Sequence, residues 1–443
     1  MKIRKYRYCI LAVIVVAIIL LAGGHQMPKY VSRLIAIALL AVVDMLYWLA
    51  VKKFITGRFN NVLIAAYWLP LIFLLLFFIA GIPAPNNQWP AFPRIYFPGI
   101  LLILLIGKGI FLTILIAGDI ILIPTNLIRK IRSRKIFRNR KWYRPGIFMK
   151  IGAALAAFVM LMYVAGMFLW VRDFKLNVVE IPVKNLPVEF DGYKLIQISD
   201  IHLGSFLTDK PVQKICSLVN EQHPDVILFT GDMVNFTTSE AYPFENVMKQ
   251  FAAKDGVYAI LGNHDYGEYS SWDSPELKHQ NDLDLFAFYK RIGWQLLRNE
   301  NSIIRRDSAS LAIIGVENWS KSKRFGKKGD LKRALAGAES TQFKILMSHD
   351  PSHWDAEVNR LYPEIELTLS GHTHAFQLEV EICKINWSPS AWLFKEWAGL
   401  YEKTQAGGLK QYLYVNSGAG TLGYLGRIGT RPEITLLVLR RAD

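Results

Sequence analysis

The amino-acid sequence predicts an α/β domain over residues 173–443, preceded over residues 1–172 by an all-α region of about five transmembrane helices. Three observations lead to this prediction. Long apolar runs occur only in the first part, the excess positive charge lies between those runs, and from about residue 174 short β-branched runs alternate with helical patterns. The second part has about 270 residues, which is enough to bury a substantial core of its own.

The first part contains five stretches that are long and apolar enough to cross a bilayer, for which a helix needs roughly 20 residues. A soluble core helix keeps a polar face, whereas a run such as LIFLLLFFIAGI has none. The first stretch can also be read as a cleaved signal peptide, because it has a basic start and small residues at its end. The five stretches are about 9–24, 34–51, 62–81, 98–124 and 147–170.

The distribution of charge predicts an orientation for these helices. The net charge is +16, but residues 1–172 hold 22 Lys and Arg against 2 Asp and Glu, so residues 173–443 are slightly acidic. Lys and Arg accumulate in cytoplasmic loops, and here they cluster before the first stretch, after the second and over 129–150. We therefore expect a cytoplasmic N-terminus, an extracytoplasmic α/β domain and an integral protein of the plasma or inner membrane. The bilayer is the expected partner, and nucleic acid is not.

Three ionisable residues lie inside the apolar stretches, where such groups are costly: Asp44, Lys108 and Asp119. One hypothesis is an ion pair between Asp44 and Lys108 that joins two helices. The alternative is that each side chain reaches the interface or faces a neighbouring helix. The sequence alone leaves both open.

In the second part, five apolar runs are followed closely by metal-ligand or acid/base side chains. Loops at the carboxyl ends of strands are where α/β folds build their sites. These side chains are Asp200 and His202 after KLIQIS, Asp232 after VILFT, Asn263, His264 and Asp265 after VYAIL, His349 after KILM, and His372 and His374 after LTLS.

These residue types indicate a metal centre. Carboxylate oxygen, imidazole nitrogen and a neutral amide oxygen together suit Mn, Fe or Zn, and the set is too rich in nitrogen for Ca or Mg. There are too many ligands for one tetrahedral ion, but two divalent ions that share a carboxylate would use them, and paired ions clamp both oxygens of a displacement at phosphorus. Each residue alone can be explained as a turn former, helix cap or structural histidine. The set in this order predicts hydrolysis of a phosphoester.

The motifs Asp-x-His, Gly-Asp, Gly-Asn-His-Asp, a later His and Gly-His-x-His resemble the calcineurin-like metallophosphoesterase superfamily over about residues 175–443. The ending from Asn416 through Arg427 to Pro432 is similar to membrane-associated bacterial phosphohydrolases of the YkuE and YaeI type. The helical front end is similar to transmembrane proteins that carry a metallophosphoesterase domain. The resemblance implies a four-layer sandwich of two mixed β-sheets flanked by helices.

The resemblance also implies a role for each site residue. A hydroxide activated by both metal ions would attack phosphorus in line. His264 would stabilise the developing charge and protonate the leaving oxygen, and Asp265 would orient its imidazole. The implied metal ligands are Asp200, His202 and His374 for the first ion, Asn263, His349 and His372 for the second, and Asp232 as the bridge.

Two positions depart from the pattern of the superfamily. Asn235 stands where many relatives have a second acid, and Ala375 and Phe376 stand where a glycine pair is common. Neither position supplies an implied ligand. The departures therefore leave the predicted activity in place and affect the expected shape of the pocket.

The predicted function is that of a membrane-anchored, metal-dependent phosphohydrolase that cleaves a phosphodiester, phosphomonoester or pyrophosphate bond. A lipid or cell-envelope precursor is the expected substrate class. Aromatic residues over 387–401 can form either a lip that touches the bilayer or a packed loop, and both readings stay open. The alternative function is a membrane sensor or assembly protein that uses a weakly active domain for binding.

Overall fold

A computed structural model describes residues 29–52, 55, 57–81, 88–132, 146–184, 186–382, 385–405 and 408–442. The chain divides into two compact units. One comprises the chain up to Gln88 together with Phe97–Met162, and the other comprises Trp89–Tyr96 together with Tyr163–Asp443. The first unit is helical where it is described, and the second contains the described β-strands and the ends of two apolar helices.

Three of the described helices are long and apolar enough to cross a membrane, by length and composition. They span Asn60–Ala80, Ala91–Ile121 and Gly146–Arg172. Their side chains lack the polar stripe that a soluble helix would turn to water. The helices before the first strand are α1 (Lys29–Val51), α2 (Asn60–Ala80), α3 (Ala91–Ile121), α4 (Ile123–Arg132) and α5 (Gly146–Phe168).

The prediction of five spans is wrong for the part of the chain that the structure describes, which holds three. The stretch 34–51 lies in α1, which is not one of the three candidate spans among the described residues. The stretch 9–24 lies outside the described residues. The span predicted from residue 98 begins at Ala91, because α3 continues through Pro98, as apolar helices in membranes often do.

Of the two hypotheses for Asp44 and Lys108, the structure shows the ion pair, which joins three helices of the first unit. Lys108 Nζ of α3 lies 2.5 Å from Asp44 Oδ2 of α1 and donates to the carbonyl oxygen of Tyr67 in α2 at 2.8 Å. The Tyr67 hydroxyl donates to the Asp44 carbonyl oxygen at 2.8 Å. The ammonium also lies 4.3 Å from the centre of the Tyr67 ring, an arrangement that attracts a cation.

Breaking this pair from one side is expected to destabilise the helical unit. Lys108→Met leaves the Asp44 carboxylate buried without its cation, and loss of one partner of a buried pair costs about 3–5 kcal/mol. The double variant Asp44→Asn/Lys108→Met removes both charges and is expected to recover most of that loss. Thermal unfolding in detergent, followed by helical circular dichroism, measures both. Lys150→Met, at an exposed lysine, is the control; equal stability of the single and double variants would contradict the prediction.

The second unit is built on two mixed six-stranded sheets. The first sheet has the order β1-β14-β2-β3-β4-β5 and the second has the order β12-β13-β9-β8-β7-β6, with a hairpin of β10 and β11 beside them. Strands β2 to β5 run parallel, as do β7, β8, β9 and β13. The strands are β1 (Lys175–Lys184), β2 (Lys194–Ile198), β3 (Val226–Phe229), β4 (Val257–Ala259), β5 (Gln295–Leu296), β6 (Glu300–Arg306), β7 (Ala309–Gly315), β8 (Phe343–Met347), β9 (Leu367–Ser370), β10 (Val380–Ile382), β11 (Ile385–Trp387), β12 (Gly399–Thr404), β13 (Lys410–Val415) and β14 (Glu433–Ala442).

Alternating side chains of the strands place apolar groups on both faces of each sheet. One core lies between the sheets, where Leu195 and Leu228 of the first sheet cluster with Ile345 of the second. Two outer cores pack helices against the remaining faces. The predicted arrangement of two mixed sheets with helices on both outer faces is therefore confirmed. These helices are α6 (Lys210–Asn220), α7 (Glu245–Met248), α8 (Pro275–Arg291), α9 (Leu331–Leu335) and α10 (Asn359–Leu361).

Candidate metal centre

The predicted ligands meet at the carboxyl ends of parallel strands from both sheets. Loops after β2, β3 and β4 bring four of them from the first sheet, and loops after β8 and β9 bring three from the second. Their side chains are buried. The structure thus brings together all seven: Asp200, His202, Asp232, Asn263, His349, His372 and His374.

Two overlapping groups of ligand atoms lie close enough to hold a metal ion. The groups are Asp200 with His202 and His374, and Asp200 with Asp232 and His349; within each group the ligand atoms lie within 4.8 Å of one another. His374 Nε2 lies 3.0 Å from His202 Nε2 and 3.2 Å from Asp200 Oδ1. Asp232 Oδ2 lies 3.6 Å from His202 Nε2 and 3.2 Å from His349 Nε2. Asp232, a member of the second group, therefore also lies close to His202 of the first group, as expected for a bridging ligand.

The second group is extended by His372 and Asn263. His372 Nδ1 lies 3.2 Å from His349 Nε2. The amide nitrogen of Asn263 donates to the Tyr269 hydroxyl at 2.9 Å, which leaves the buried Oδ1 of Asn263 as an acceptor with no hydrogen-bond partner among the described residues. A buried carbonyl oxygen without a partner is costly, and a metal ion would satisfy it.

The orientation of the imidazoles fits metal binding. His202 Nδ1 lies 3.1 Å from the Val234 carbonyl oxygen, and His349 Nδ1 lies 2.8 Å from the Thr230 carbonyl oxygen. Such contacts hold a proton on Nδ1, so that Nε2 is the ring nitrogen that faces the centre. The 3.0–3.2 Å separations between ligand atoms match the spacing of neighbouring ligands around an ion with bonds of about 2.1 Å.

Charge also favours cations in this centre. Although burial disfavours its charged form, the Asp232 and Asp200 carboxylates raise the pKa of His349 to about 10. Burial raises the pKa of Asp232, but the His349 and His264 imidazoles more than offset this and hold it well below its ordinary value. Burial lowers the pKa of His202 to about 3. The ionised carboxylates thus require positive charge beside them, which divalent ions would supply.

The backbone of the ligand loops is held in an uncommon conformation. Five of the seven predicted ligands have positive φ: Asp200 (50°), His202 (45°), Asp232 (60°), His372 (72°) and His374 (50°). Non-glycine residues rarely adopt this region, and such strain is typical of functional sites. The tight left-handed turns direct side chains from separate strands toward one point.

The glycines of the ligand motifs are required by close packing. A Cβ on Gly262 would overlap the Asp232 carboxylate, and a Cβ on Gly371 would overlap Ser199 Oγ and the Asp200 carboxylate. Ser199 Oγ itself donates to Asp200 Oδ2 at 2.5 Å. The backbone that carries each ligand pair therefore lies directly against another ligand, which only glycine permits.

The comparisons with known proteins agree with this geometry. The family model for calcineurin-like phosphoesterases matches residues 193–376, which include all seven predicted ligands. This segment is a calcineurin-like phosphoesterase domain. The prediction made from the motifs is confirmed.

Several named proteins are similar to this chain over somewhat more than half of its length. A transmembrane protein with metallophosphoesterase domain from Danio rerio is 31% identical over 272 residues, covering 60% of this chain and 57% of that protein. Uncharacterized metallophosphoesterase YkuE from Bacillus subtilis is 26% identical over 268 residues, covering 58% and 82%. UDP-2,3-diacylglucosamine pyrophosphatase LpxG from Chlamydia trachomatis is 27% identical over 301 residues, covering 57% and 86%. The chain thus spans little more than half the length of the Danio rerio protein.

The role predicted for Asp265 in the phosphoesterase domain is wrong, because Asp265 does not bond to the His264 imidazole. Its carboxylate accepts hydrogen bonds from the backbone N–H groups of Asp232 (2.9 Å), Met233 (2.8 Å) and Gly262 (2.9 Å). Burial and the nearby Asp232 raise the pKa of Asp265 to about 7, and these N–H groups oppose the rise. Asp265 thus ties together the loops that carry Asp232 and Asn263.

The imidazole of His264 is oriented by a backbone carbonyl instead. His264 Nδ1 lies 2.8 Å from the carbonyl oxygen of Asn235, and the His264 N–H donates to Asp232 Oδ1 at 2.9 Å. The ring lies 5.0 Å from the ring of His202, edge to face. Asn235 stands where the superfamily pattern has an acid. It orients the ring through its backbone carbonyl group, which any residue at this position would supply.

Two buried residues outside the ligand motifs contact the centre or the backbone that packs against it. Asp350, directly after His349, is a buried carboxylate whose Oδ2 lies 3.6 Å from His372 Nε2. Arg427 is fully buried, and its guanidinium donates to the carbonyl oxygens of Ser417 (2.9 Å), Gly418 (2.8 Å) and Gly420 (2.7 Å). The Gly418 backbone lies against Asp200 and His374. Arg427 therefore holds in place the backbone that packs against these two ligands.

Replacing Arg427 by Met is expected to destabilise the phosphoesterase domain by about 3–5 kcal/mol, because several buried carbonyl oxygens lose a charged donor. Arg427→Lys keeps a charge and three donors and should lose less. Chemical unfolding of the purified protein measures the stability, and metal analysis measures occupancy. Arg440→Met, at an exposed arginine of β14, is the matched control. Parent-like stability of Arg427→Met would contradict the prediction.

The residues after the last predicted ligand connect the metal centre with the end of a candidate span. Ala375 and Phe376, which replace the common glycine pair, have φ of 48° and 47°, the conformation that glycine adopts easily. The carbonyl oxygen of Phe376 accepts a hydrogen bond from the Tyr424 hydroxyl at 3.3 Å. The Tyr424 ring in turn lies 6.5 Å from that of Tyr163, near the end of α5.

The aromatic segment, residues 387–401, is packed in one part and exposed at its tip. Phe394 packs edge-on against the His372 ring at 5.4 Å, and the Trp397 carbonyl oxygen accepts a hydrogen bond from Thr373 Oγ1 at 2.6 Å. At the tip, Trp392 is 76% exposed and Leu393 is 72% exposed. One part therefore packs beside the metal centre, and the tip presents apolar surface.

Proposed function

We propose that this chain is a membrane-anchored phosphoesterase that uses two divalent metal ions to hydrolyse a phosphodiester, phosphomonoester or pyrophosphate bond. The proposal rests on the two buried Asp/His groups that share Asp200, and on the position of Asp232 Oδ2 close to a histidine of each group. The donor types suit Mn, Fe or Zn. When bound, two such ions would activate water at neutral pH and stabilise charge on the attacking and leaving oxygens.

The protein's own residues position the reaction. The ligands proposed for the first ion are Asp200, His202 and His374. Those proposed for the second ion are Asn263, His349 and His372, with Asp232 as the bridge. His264 lies beside both groups, with Nδ1 directed to the Asn235 carbonyl oxygen. Its Nε2 is then the atom that would donate a proton to the leaving oxygen.

We further propose that the substrate is lipid-linked and reaches the site from the membrane. The tip of the aromatic segment is exposed and apolar, and Phe376 beside His374 is also exposed. The contact of Tyr163 with Tyr424, whose hydroxyl donates to the Phe376 carbonyl oxygen, brings the end of α5 to the edge of the domain that carries Phe376. The relative from Chlamydia trachomatis is named as a pyrophosphatase of UDP-2,3-diacylglucosamine, and a substrate with acyl chains and a pyrophosphate would suit this edge.

The lipid substrate predicts a clear preference. The metal-loaded full-length protein in mixed micelles is expected to hydrolyse phospholipids or lipid-linked pyrophosphates with a kcat/KM at least about tenfold above that for soluble nucleotides. Phosphate release measures both reactions under one condition. Replacing exposed apolar side chains, as in Trp392→Ser/Leu393→Ser, should reduce the preference, whereas Leu361→Ser, at an exposed leucine elsewhere, should not. Efficient cleavage of soluble nucleotides with no turnover of lipid substrates would exclude the proposal.

The location of charge supports a cytoplasmic N-terminus and an extracytoplasmic phosphoesterase domain. Protease added outside sealed spheroplasts is expected to cut exposed loops after residue 173. If protease added outside leaves the domain intact and cuts it only in inverted vesicles, the domain lies on the cytoplasmic side, which contradicts the proposed orientation.

A further inference from the structure

The candidate acid His264 is connected to a membrane helix by a short series of polar contacts. The carbonyl oxygen of Asn235 lies 2.8 Å from His264 Nδ1, and the N–H of Asn235 donates to Glu240 Oε2 at 2.7 Å. The other oxygen of Glu240 lies 3.3 Å from Arg94 Nη1. Arg94 lies at the start of α3, one of the three candidate spans. All four residues belong to the second compact unit.

The carboxylate of Glu240 is the central group in this series. The Glu240 side chain is 2% exposed and the Arg94 side chain 18%. Glu240 Oε2 also accepts the N–H of Phe236 at 3.2 Å, so the carboxylate closes the turn that follows Asp232. Burial raises the pKa of Glu240, and Arg94 and the two N–H groups oppose this rise. Arg94 therefore favours the ionised form, which accepts both hydrogen bonds.

The position of the carboxylate is fixed by a second loop of the centre. Gly204, two residues after His202, lies against it, and a Cβ on Gly204 would overlap Glu240 and approach Asn235 Oδ1 to 2.8 Å. Glu240 thus fills the space between the loop of His202 and the loop of Asn235. A displacement of its carboxylate would move the carbonyl group that orients His264.

Arg94 lies in a segment at the start of α3 that belongs to the second unit. The segment Trp89–Tyr96 is rich in aromatic residues, which favour the membrane interface. Tyr96 stacks on Phe92 at 4.9 Å and on Phe168, the last residue of α5, at 6.0 Å. The guanidinium that faces Glu240 is thus supplied by a helix end that also contacts the end of a second span.

We propose that Arg94 is a positioning residue for His264: through Glu240 it fixes the backbone of Asn235, whose carbonyl oxygen sets the direction of the imidazole. This proposal rests on the proposed function, in which His264 protonates the leaving oxygen. In this proposal the start of α3 helps to orient the imidazole of His264, which is the candidate acid. An anchor alone would hold the domain at the membrane and leave the protonation step unchanged.

The dependence of the rate on the leaving group tests this role. A nitrophenyl phosphodiester has a leaving oxygen that needs little protonation, whereas a dialkyl phosphodiester needs it fully. In the full-length, Mn-loaded protein, Arg94→Gln and Glu240→Gln are expected to reduce kcat on the dialkyl ester about tenfold or more and on the nitrophenyl ester less than threefold. Arg94→Lys should restore much of the loss, and metal content should be unchanged.

Matched variants separate positioning from general damage. Arg172→Gln changes an exposed arginine at the end of another candidate span and should leave both rates unchanged. In a His264→Ala background, Arg94→Gln should add almost nothing, because residues that act through one group are not additive. Equal losses on the two esters, or additive losses with His264→Ala, would overturn the proposal.

A spectroscopic measurement tests the role of Arg94 separately from the proposed phosphoesterase activity. In histidine-labelled protein, the Nδ1–H resonance that disappears in His264→Ala reports the hydrogen bond to Asn235 whether or not there is turnover. Arg94→Gln and Glu240→Gln are expected to shift this resonance, and Arg172→Gln is not. A parent protein without turnover would count against the phosphoesterase function alone, whereas an unshifted resonance in both variants would overturn the role of Arg94.

Discussion

Asp232→Asn is expected to reduce hydrolysis by on the order of 10³-fold and to lower metal content from two ions per chain to one or fewer. Asp232 Oδ2 lies between His202 and His349, and its Oδ1 accepts the His264 N–H. Asparagine keeps the shape but removes the charge shared by both ions. Loss of a group that merely supports a ligand costs 10–100-fold in affinity or activity, so loss of the bridging ligand should cost more.

Metal analysis and turnover of a nitrophenyl phosphodiester measure the two effects of Asp232→Asn together. Asp209→Asn, at an exposed aspartate before α6, makes the same chemical change outside the centre and should behave as the parent. An Asp232→Asn protein that retains two ions and more than half of the parental rate would show that this carboxylate does not bridge.

His264→Ala is expected to reduce kcat by about 10²–10⁴-fold on an alkyl phosphoester, the range of general acid catalysis, with both metal ions retained. The imidazole is not one of the predicted ligands, and burial lowers its pKa while the nearby Asp232 opposes this. The loss on a nitrophenyl ester should be much smaller, because that leaving oxygen departs without protonation.

Parallel assays on the two esters, with metal analysis of the same samples, measure the effect of His264→Ala. His279→Ala removes an exposed imidazole from α8 and is the control. The same fractional loss on both esters would assign His264 a role in charge stabilisation rather than protonation. Loss of a metal ion in His264→Ala would instead indicate a structural role in the centre.

Much of the site was predictable from local sequence, because the chain repeats one pattern at the strand ends. A buried apolar run predicts each strand, and the polar residues just beyond it lie at the same sheet edge in a parallel arrangement. Asp200, Asp232 and Asn263 could be brought together on this basis, because they follow the neighbouring parallel strands β2, β3 and β4 of one sheet. The pair of Asp44 with Lys108 was one of two hypotheses, because an ionisable group in an apolar helix can also reach the interface or face a neighbouring helix.

The remaining contacts depend on backbone geometry that no local pattern encodes. Asp265 was expected to orient His264. Instead, the left-handed turn at Asp232 directs backbone N–H groups to the carboxylate of Asp265. Arg427 bonds to carbonyl oxygens seven to ten residues earlier in the chain, and Glu240 meets Arg94 across a large separation in sequence. Such partners are brought together only once the sheets and helix ends have packed.

Metal-dependent hydrolysis by the full-length protein is the most direct test of the proposed two-metal phosphoesterase centre. The protein is stripped of metal, assayed on aryl phosphomonoester and phosphodiester, and then titrated with Mn, Fe or Zn. The proposed function predicts no turnover without metal, recovery that saturates at two ions per chain, and no recovery in Asp232→Asn. Turnover that persists in the stripped protein, or two bound ions with no turnover of any ester in lipid or detergent, would contradict it.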